Sequence, residues 1–182
     1  MTRVLIPLAQ GCEELEAVTI IDLMRRAGIE VITAGLDEQT ITASRGVRLM
    51  PDAQLDDVME QEFDMLVLPG GLPGADHLDA DRRIHALLTK MAEGGRYTAA
   101  ICAAPKVLAH AGLLNGKVAT GYPGVLDSME LPATEMSRDA VVIDGKVVTS
   151  RGPGTAMEFA LTLIAQLLGE EKRREVEQAL VR

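Results

Sequence analysis

The chemistry in this sequence begins at a cysteine that ends a run of small residues. Tyr97-Thr98-Ala99-Ala100-Ile101 reads as a strand, Cys102 follows it, and Ala103-Ala104-Pro105 leads into a helical pattern over Lys106–Ala111. A strand that turns sharply into a helix with a nucleophile at the corner is an elbow. Small neighbours let the backbone bend there and let a substrate approach. Pro105 suits a first helical turn, where a missing N–H costs nothing. Free backbone N–H groups and the positive end of a helix dipole would favour the thiolate, the reactive form. A free cysteine also packs as a small hydrophobe, so the stretch alone leaves reactivity and packing as even alternatives.

Acids that could serve such a thiol stand at Glu13, Glu14 and Glu16, in the first turn of another helical pattern. A carboxyl beside a thiolate in a partly apolar site has its pKa raised by burial and like charge. Protonated, it donates a hydrogen bond to sulfur and later shuttles the proton. Each of these acids could equally be a surface residue that complements its helix dipole. Backbone N–H groups of Gly71 and Ala103 could form an oxyanion pocket, although Pro69–Gly74 also reads as a plain tight turn. The histidines offer less. His77 follows the glycine loop, His85 lies in a helical stretch, and His110 sits two turns beyond Cys102, roughly 12 Å away along a helix. No Cys/His spacing suggests zinc. The glycine loop lacks a Walker lysine and no G-x-G-x-x-G follows the first strand, so no cofactor, metal or nucleotide is expected. Cys12 reads as a small filler in a turn, with a resolving role toward Cys102 as the alternative.

Alternating patterns supply the frame. Val4–Ala9 is a continuous apolar run, the mark of a strand buried on both faces. Glu13–Ala27 is helical, with acids in its first turn and Arg25 and Arg26 in its last. Ile29–Ala34 is a second strand, so the opening is a right-handed parallel crossover. Short strands are expected at Thr40–Thr42 and Val47–Leu49, a short helix at Leu55–Glu62, a strand at Asp64–Leu68 and a helix at Ala80–Glu93. Lys117–Thr120 reads as a strand. Ala140–Ile143 and Lys146–Ser150 flank Asp144-Gly145, a hairpin signal, and helices follow at Thr155–Leu168 and Glu170–Leu180. These patterns predict one three-layer α/β domain over residues 1–182 with a mostly parallel sheet. In such sheets ligands bind beyond the carboxyl ends of the strands, where Gln10–Glu16, Pro69–Gly74, Cys102–Pro105 and, after the hairpin, Ser150–Gly154 would gather.

The totals exclude some partners. With 182 residues, 47% of them hydrophobic, the chain has enough for a sizeable core. Its net charge of -9 argues against broad contact with nucleic-acid phosphates, and 2% aromatic content with no Trp against a base-stacking platform. Two cysteines make no disulfide framework. The apolar run after Arg3 is too short for a signal peptide and nothing reaches membrane-spanning length, so a cytoplasmic location is expected.

Five motifs carry a resemblance. They are Gly11-Cys12-Glu13-Glu14-Leu15-Glu16, Asp22-Leu23-Met24-Arg25-Arg26-Ala27-Gly28, Leu68-Pro69-Gly70-Gly71, Ala100-Ile101-Cys102-Ala103 and Thr149–Thr155. In this order and at these separations, the chain resembles the ThiJ/PfpI superfamily, in the branch of the parkinsonism-associated protein deglycase and its bacterial relatives. The resemblance implies a flavodoxin-like α/β/α sandwich and a homodimer. It marks Cys102 as the reactive cysteine, Glu16 as the acid on its sulfur, and Gly71 and Ala103 as oxyanion donors. It places Arg45, Arg26 and Ser150 around an anion-friendly pocket. Two departures stand out. Relatives usually have glycine where this chain has Ala104, whose methyl would narrow the elbow. Many carry histidine just before the proline matching Pro123, where this chain has Tyr122, the candidate third polar group. The protease branch places histidine directly after the cysteine, where this chain has Ala103.

The resemblance implies a cofactor-independent glyoxalase III-type or deglycase enzyme acting on methylglyoxal, glyoxal or their early adducts and giving 2-hydroxy acids. A redox-responsive stress protein or chaperone using the same cysteine is the alternative. An amidotransferase-like hydrolase or peptidase ranks below both, because the flanking glycines and distant histidine it needs are missing.

Overall fold

Strand residues alternate between two cores, and this explains their near-continuous apolarity. Val4, Ile6, Leu8, Met65, Val67, Ala99 and Ile101 belong to one buried cluster, while Leu5, Leu66, Leu68 and Ala100 belong to the other. Both sheet faces are therefore covered, which leaves few places for polar side chains.

The computed structural model describes residues 1–181. In chain order the first half runs β1 (Arg3–Leu8), α1 (Glu14–Arg26), β2 (Glu30–Gly35), β3 (Ile41–Thr42), β4 (Arg48–Leu49), β5 (Ala53–Gln54), α2 (Leu55–Val58), β6 (Met65–Leu68), α3 (Gly74–Ala80) and α4 (Arg82–Glu93). The second half runs β7 (Tyr97–Ile101), α5 (Pro105–His110), β8 (Val118–Ala119), β9 (Glu135–Met136), β10 (Val141–Asp144), β11 (Val147–Ser150), α6 (Ala156–Leu168) and α7 (Glu170–Ala179). The central sheet has seven strands in the order β10-β11-β7-β6-β1-β2-β5. All of its pairs are parallel except the β10–β11 hairpin. Residues of α1, α6 and α7 line the first cluster, and residues of α2 to α5 line the second. This is the flavodoxin-like three-layer α/β/α arrangement that the sequence predicts. Strand order reverses between β1 and β6, so the loops after these strands stand at the switch point of the sheet.

Three local expectations differ from the structure. The helix expected at Ala80–Glu93 is two helices, because Asp81 is extended and its carboxylate accepts the Arg83 N–H at 2.9 Å as an N-cap. Residues 74–80, read from sequence as following a loop, form α3. The strand expected at Lys117–Thr120 never joins the main sheet. Val118–Ala119 instead pairs with Glu135–Met136 in a separate two-stranded sheet, and Asp144 accepts the Val118 N–H at 2.9 Å.

Candidate active site

Cys102 closes β7 in the left-handed region, with φ 64°. That conformation is strained for any residue with a Cβ, and two backbone bonds hold it. The Cys102 N–H donates to the Ser150 carbonyl at 3.0 Å, and the Cys102 carbonyl accepts the Tyr122 N–H at 2.8 Å. Chain reversal is possible there because Gly70 lies directly alongside. A Cβ on Gly70 would stand 2.6 Å from the Cys102 Cβ and 2.7 Å from the Ile101 carbonyl oxygen.

Glu16 approaches from α1, on the same face of the sheet. Its periodic position puts it among the core-facing residues with Ala17, Ile20 and Met24, and it is fully buried. One oxygen, Oε2, accepts the Gly70 N–H at 2.8 Å. The other, Oε1, is buried with no hydrogen-bond partner, and the carboxyl as a whole acts on the Cys102 thiol. An unpartnered buried carboxylate oxygen is costly, so the carboxyl responds by keeping its proton. Burial pushes it from 4.5 up to about 7, against the Gly70 N–H and the Cys102 thiol, which pull it down.

The thiol departs from the sequence expectation. Burial, then the charge of Glu16 and the hydrogen bond to it, push Cys102 up to about 12, while the N–H groups of Gly71 and Ala103 pull it down. Free N–H groups do face the sulfur, but α5 is only six residues long and the site is 8% exposed, so burial and the carboxylate outweigh them. Thiol and carboxyl titrate as a pair. Between their two proton losses they share one proton, as thiol with carboxylate or as thiolate with carboxylic acid. The second form carries a nucleophile, a proton donor and two N–H donors at one point.

The neighbouring acids have other work. Glu14 accepts the Arg45 N–H at 2.9 Å and the Ser44 hydroxyl at 3.1 Å, so it pins the loop after β3. Burial raises its pKa, but backbone N–H groups, including those of Glu14 and Arg45, outweigh this and hold it below the ordinary value. Glu13 caps α1 and accepts the Ser44 hydroxyl at 2.9 Å. Cys12 is buried and unbonded to Cys102, and burial followed by the Glu14 charge pushes its thiol up to about 12. Gly11, Gly71 and Gly74 let the loops after β1 and β6 interlock. A Cβ on Gly74 would stand 2.6 Å from the Cys12 Cα, and one on Gly71 would stand 2.4 Å from the Glu13 nitrogen.

The remaining expected residues are dispersed. The Arg45 side chain is exposed beside the Glu14-bound loop. Arg26 is exposed at the far end of α1, paired with Asp22 at 2.7 Å. Ten residues of helix put it about 15 Å from Glu16, so a single chain does not bring Arg26 to the elbow. Ser150 supplies its carbonyl to Cys102, while its hydroxyl donates to the Ala140 carbonyl at 2.7 Å and lies 2.7 Å from the Thr155 hydroxyl. It shapes the loop rather than the pocket. Ala104 is buried in the second core with Val107 and Leu108, so its methyl does not narrow the mouth of the elbow as expected. Tyr122 is half exposed, and its ring stands over Gly152, where a Cβ would reach it at 3.2 Å. His77 Nδ1 pairs with the Gln10 carbonyl at 2.9 Å, His85 Nε2 with the Asp79 carbonyl at 2.7 Å, and His110 Nδ1 with the Asp79 carboxylate at 2.7 Å. Among the described residues, no group of three or more His, Cys, Asp or Glu could hold a metal ion, and no helix is long and apolar enough to cross a membrane.

Sequence reasoning overlooked two features. Gly70 is the hinge between Glu16 and Cys102, and the Gly-Gly pair was its available signal. A cavity of about 590 Å³ also opens beside the elbow, walled by Gly121, Tyr122, Leu126, Met136, Arg138 and Arg151 among others. Its arginines come from separated segments, and no local pattern announces them.

Known proteins share this arrangement across the chain. Drosophila melanogaster DJ-1beta has a crystal structure that superposes with a TM-score of 0.94 at 43% identity, covering 99% of this chain and 97% of that one. The Arabidopsis thaliana protein DJ-1 homolog A is 44% identical over 98% of this chain, which spans only 46% of that longer relative, about half its length. The Caenorhabditis elegans glutathione-independent glyoxalase DJR-1.2 is 37% identical over 90% of this chain and 87% of its own length. Residues 2–166 match the model of the DJ-1/PfpI family, and the chain belongs to that family.

Proposed function

We propose that the chain is a single-domain, cysteine-dependent, cofactor-independent glyoxalase or deglycase of the cytoplasm. It acts on α-oxoaldehydes such as methylglyoxal and glyoxal, or on their early adducts, and gives 2-hydroxy acids. The observation that carries this reading is the buried Glu16 carboxyl against the Cys102 thiol, poised at about 7. A general acid–base near neutrality can both give and take a proton at working pH. The name of the C. elegans relative supports the substrate class.

In the mechanism, the Cys102 sulfur adds to the aldehyde carbon. The carbonyl oxygen takes the proton held by Glu16 while the N–H groups of Gly71 and Ala103 stabilise the developing charge. The Glu16 carboxylate then removes the hydrogen from the former aldehyde carbon, the hydroxyl proton on that carbon passes to the ketone oxygen, and Glu16 returns its proton to the neighbouring carbon. The aldehyde carbon is thereby oxidised to a thioester and the ketone carbon reduced to an alcohol, with no external oxidant. Water cleaves the thioester, releasing the 2-hydroxy acid and restoring the thiol. Hydroxy-acid formation from methylglyoxal, followed by chromatography, is expected to vanish in Cys102→Ser and to fall at least about 100-fold in Glu16→Ala. Unchanged rates in both variants would eliminate the mechanism.

Exposed apolar residues support a homodimer. Leu15 and Val18 on α1 and Val47 and Met50 around β4 are 45% to 84% exposed, and Val18 and Met50 line one shared depression. A patch of this kind favours a self-complementary contact.

A second reading uses the same residues. A protonated Glu16 and the two N–H groups would retain a sulfinate at Cys102, as in a redox sensor of oxidative stress, and a Toxoplasma gondii relative is described as oxidized DJ-1. Peptidase or amidotransferase chemistry has less support, since each histidine is held by Gln10 or Asp79.

A further inference from the structure

The cavity beside the elbow is structurally tied to Cys102 from two sides. Tyr122, one wall, donates its N–H to the Cys102 carbonyl, and Ser150, which precedes Arg151 on another wall, accepts the Cys102 N–H. A Cβ on Gly121 would stand 3.3 Å from the same Cys102 carbonyl oxygen. The walls of the cavity are thus bonded to the main chain of Cys102, which sets this space next to the elbow.

The lining is chemically divided. Pro123, Leu126 and Met136 offer apolar surface, while Arg138 and Arg151 bring two guanidinium groups. Among the described residues neither arginine forms an ion pair. Arg151 is steadied only by donating Nη1 to the Arg138 carbonyl at 3.3 Å. Arg3, Arg25, Arg26, Arg83, Arg96 and Arg173 are paired with carboxylates, while Arg45, Arg48 and Arg82 are exposed and do not line this cavity. In a chain of net charge -9, two uncommitted arginines on one cavity are a local reversal of sign. Asp127 also lines it, but its carboxylate is engaged by the Gly124 N–H at 3.0 Å. Guanidinium groups match the geometry of carboxylate and phosphate oxygens.

We infer that this cavity is a second subsite, which binds the anionic end of aldehydes carrying a carboxylate or phosphate on a short carbon chain. The inference rests on the oxoaldehyde reading above for its reactive end, and on Arg138 and Arg151 for the other. Its substrates are then bifunctional: an oxoaldehyde at Cys102, a few apolar carbons against Leu126 and Met136, and an anion at the arginines.

The test compares methylglyoxal with 4,5-dioxopentanoate, which ends in a carboxylate, and with 3-phosphonooxy-2-oxopropanal, which ends in a phosphate. Wild type is expected to favour at least one anionic aldehyde in kcat/KM. That preference is expected to fall about tenfold in Arg138→Gln or Arg151→Gln, through KM, on loss of one charge-assisted contact. The arm that loses its preference identifies the anion. Binding is read separately with 4-oxopentanoate, which lacks the aldehyde, by protection of Cys102 from iodoacetamide. Arginine-dependent protection without turnover of any aldehyde would sink the oxoaldehyde reading and leave the subsite standing. Methylglyoxal turnover with a preference and a protection indifferent to both arginines would overturn the subsite and leave the catalytic reading intact.

Discussion

Replacing Glu16 with glutamine should make the protein more stable above neutral pH, even though it damages the site. The carboxyl is fully buried, and one of its oxygens lacks a hydrogen-bond partner. Glutamine has the same shape and keeps an acceptor for the Gly70 N–H. In the unfolded chain the carboxyl titrates near 4.5, and in the folded chain at about 7. Between those values the folded state binds more protons than the unfolded state, so stability falls as pH rises. The full benefit is present below 4.5 and is gone once pH passes 7. A shift of about 2.5 units at 1.36 kcal/mol per unit is worth about 3 kcal/mol. Urea unfolding of reduced wild type and Glu16→Gln at pH 4, 6 and 8 reads this quantity, because titrating groups that Glu16 does not influence cancel in the difference. The two proteins should be nearly equal at pH 4, and the variant should lead by about 2–3 kcal/mol at pH 8. The same substitution removes the charge that raises Cys102, so its alkylation midpoint should drop below about 12. Parallel stability curves across the whole range would refute the claim that Glu16 is held protonated by burial.

Two further substitutions test the packing of the elbow. Gly70→Ala places a methyl 2.6 Å from the Cys102 Cβ and 2.7 Å from a backbone oxygen. The backbone must shift, at a cost of about 1–3 kcal/mol. Chemical denaturation should show that loss together with slower Cys102 alkylation, and a wild-type midpoint would mean the close approach is not real. Ala104→Gly removes a methyl from the second core and frees the backbone, so stability should fall by about 1–2 kcal/mol. Methylglyoxal turnover should stay within about twofold, and a large gain in rate would show that the methyl obstructs the site after all.

The sequence displayed the fold because its signals are local. Apolar runs in β1, β6 and β7 report two-sided burial directly, and the acids and arginines at opposite ends of α1 report helix direction. The split between α3 and α4 was obscured because Asp81 sits within a helical pattern and only its extended backbone reveals it as a cap. Likewise, the two-residue strand β9 has too few residues to show a period, so the partner of β8, and the cavity beside it, could not be seen.

Cys102 illustrates a different limit. Its local sequence promises N–H donors, and the structure supplies them from Gly71 and Ala103. Its protonation, however, is set first by its own burial and next by a residue 86 positions earlier on another element. Glu16 reaches the sulfur only because Gly70 permits β6 and β7 to end side by side and gives the carboxyl its one N–H. The elbow motif therefore identifies where the thiol stands, whereas burial and the Glu16 carboxyl decide how it is protonated. A thiol held at about 12 is inert near neutrality, so the proposed chemistry requires the shared proton to move onto Glu16. Attack on a carbonyl should favour that move, because the charge leaving the sulfur then passes to an oxygen faced by the Gly71 and Ala103 N–H groups.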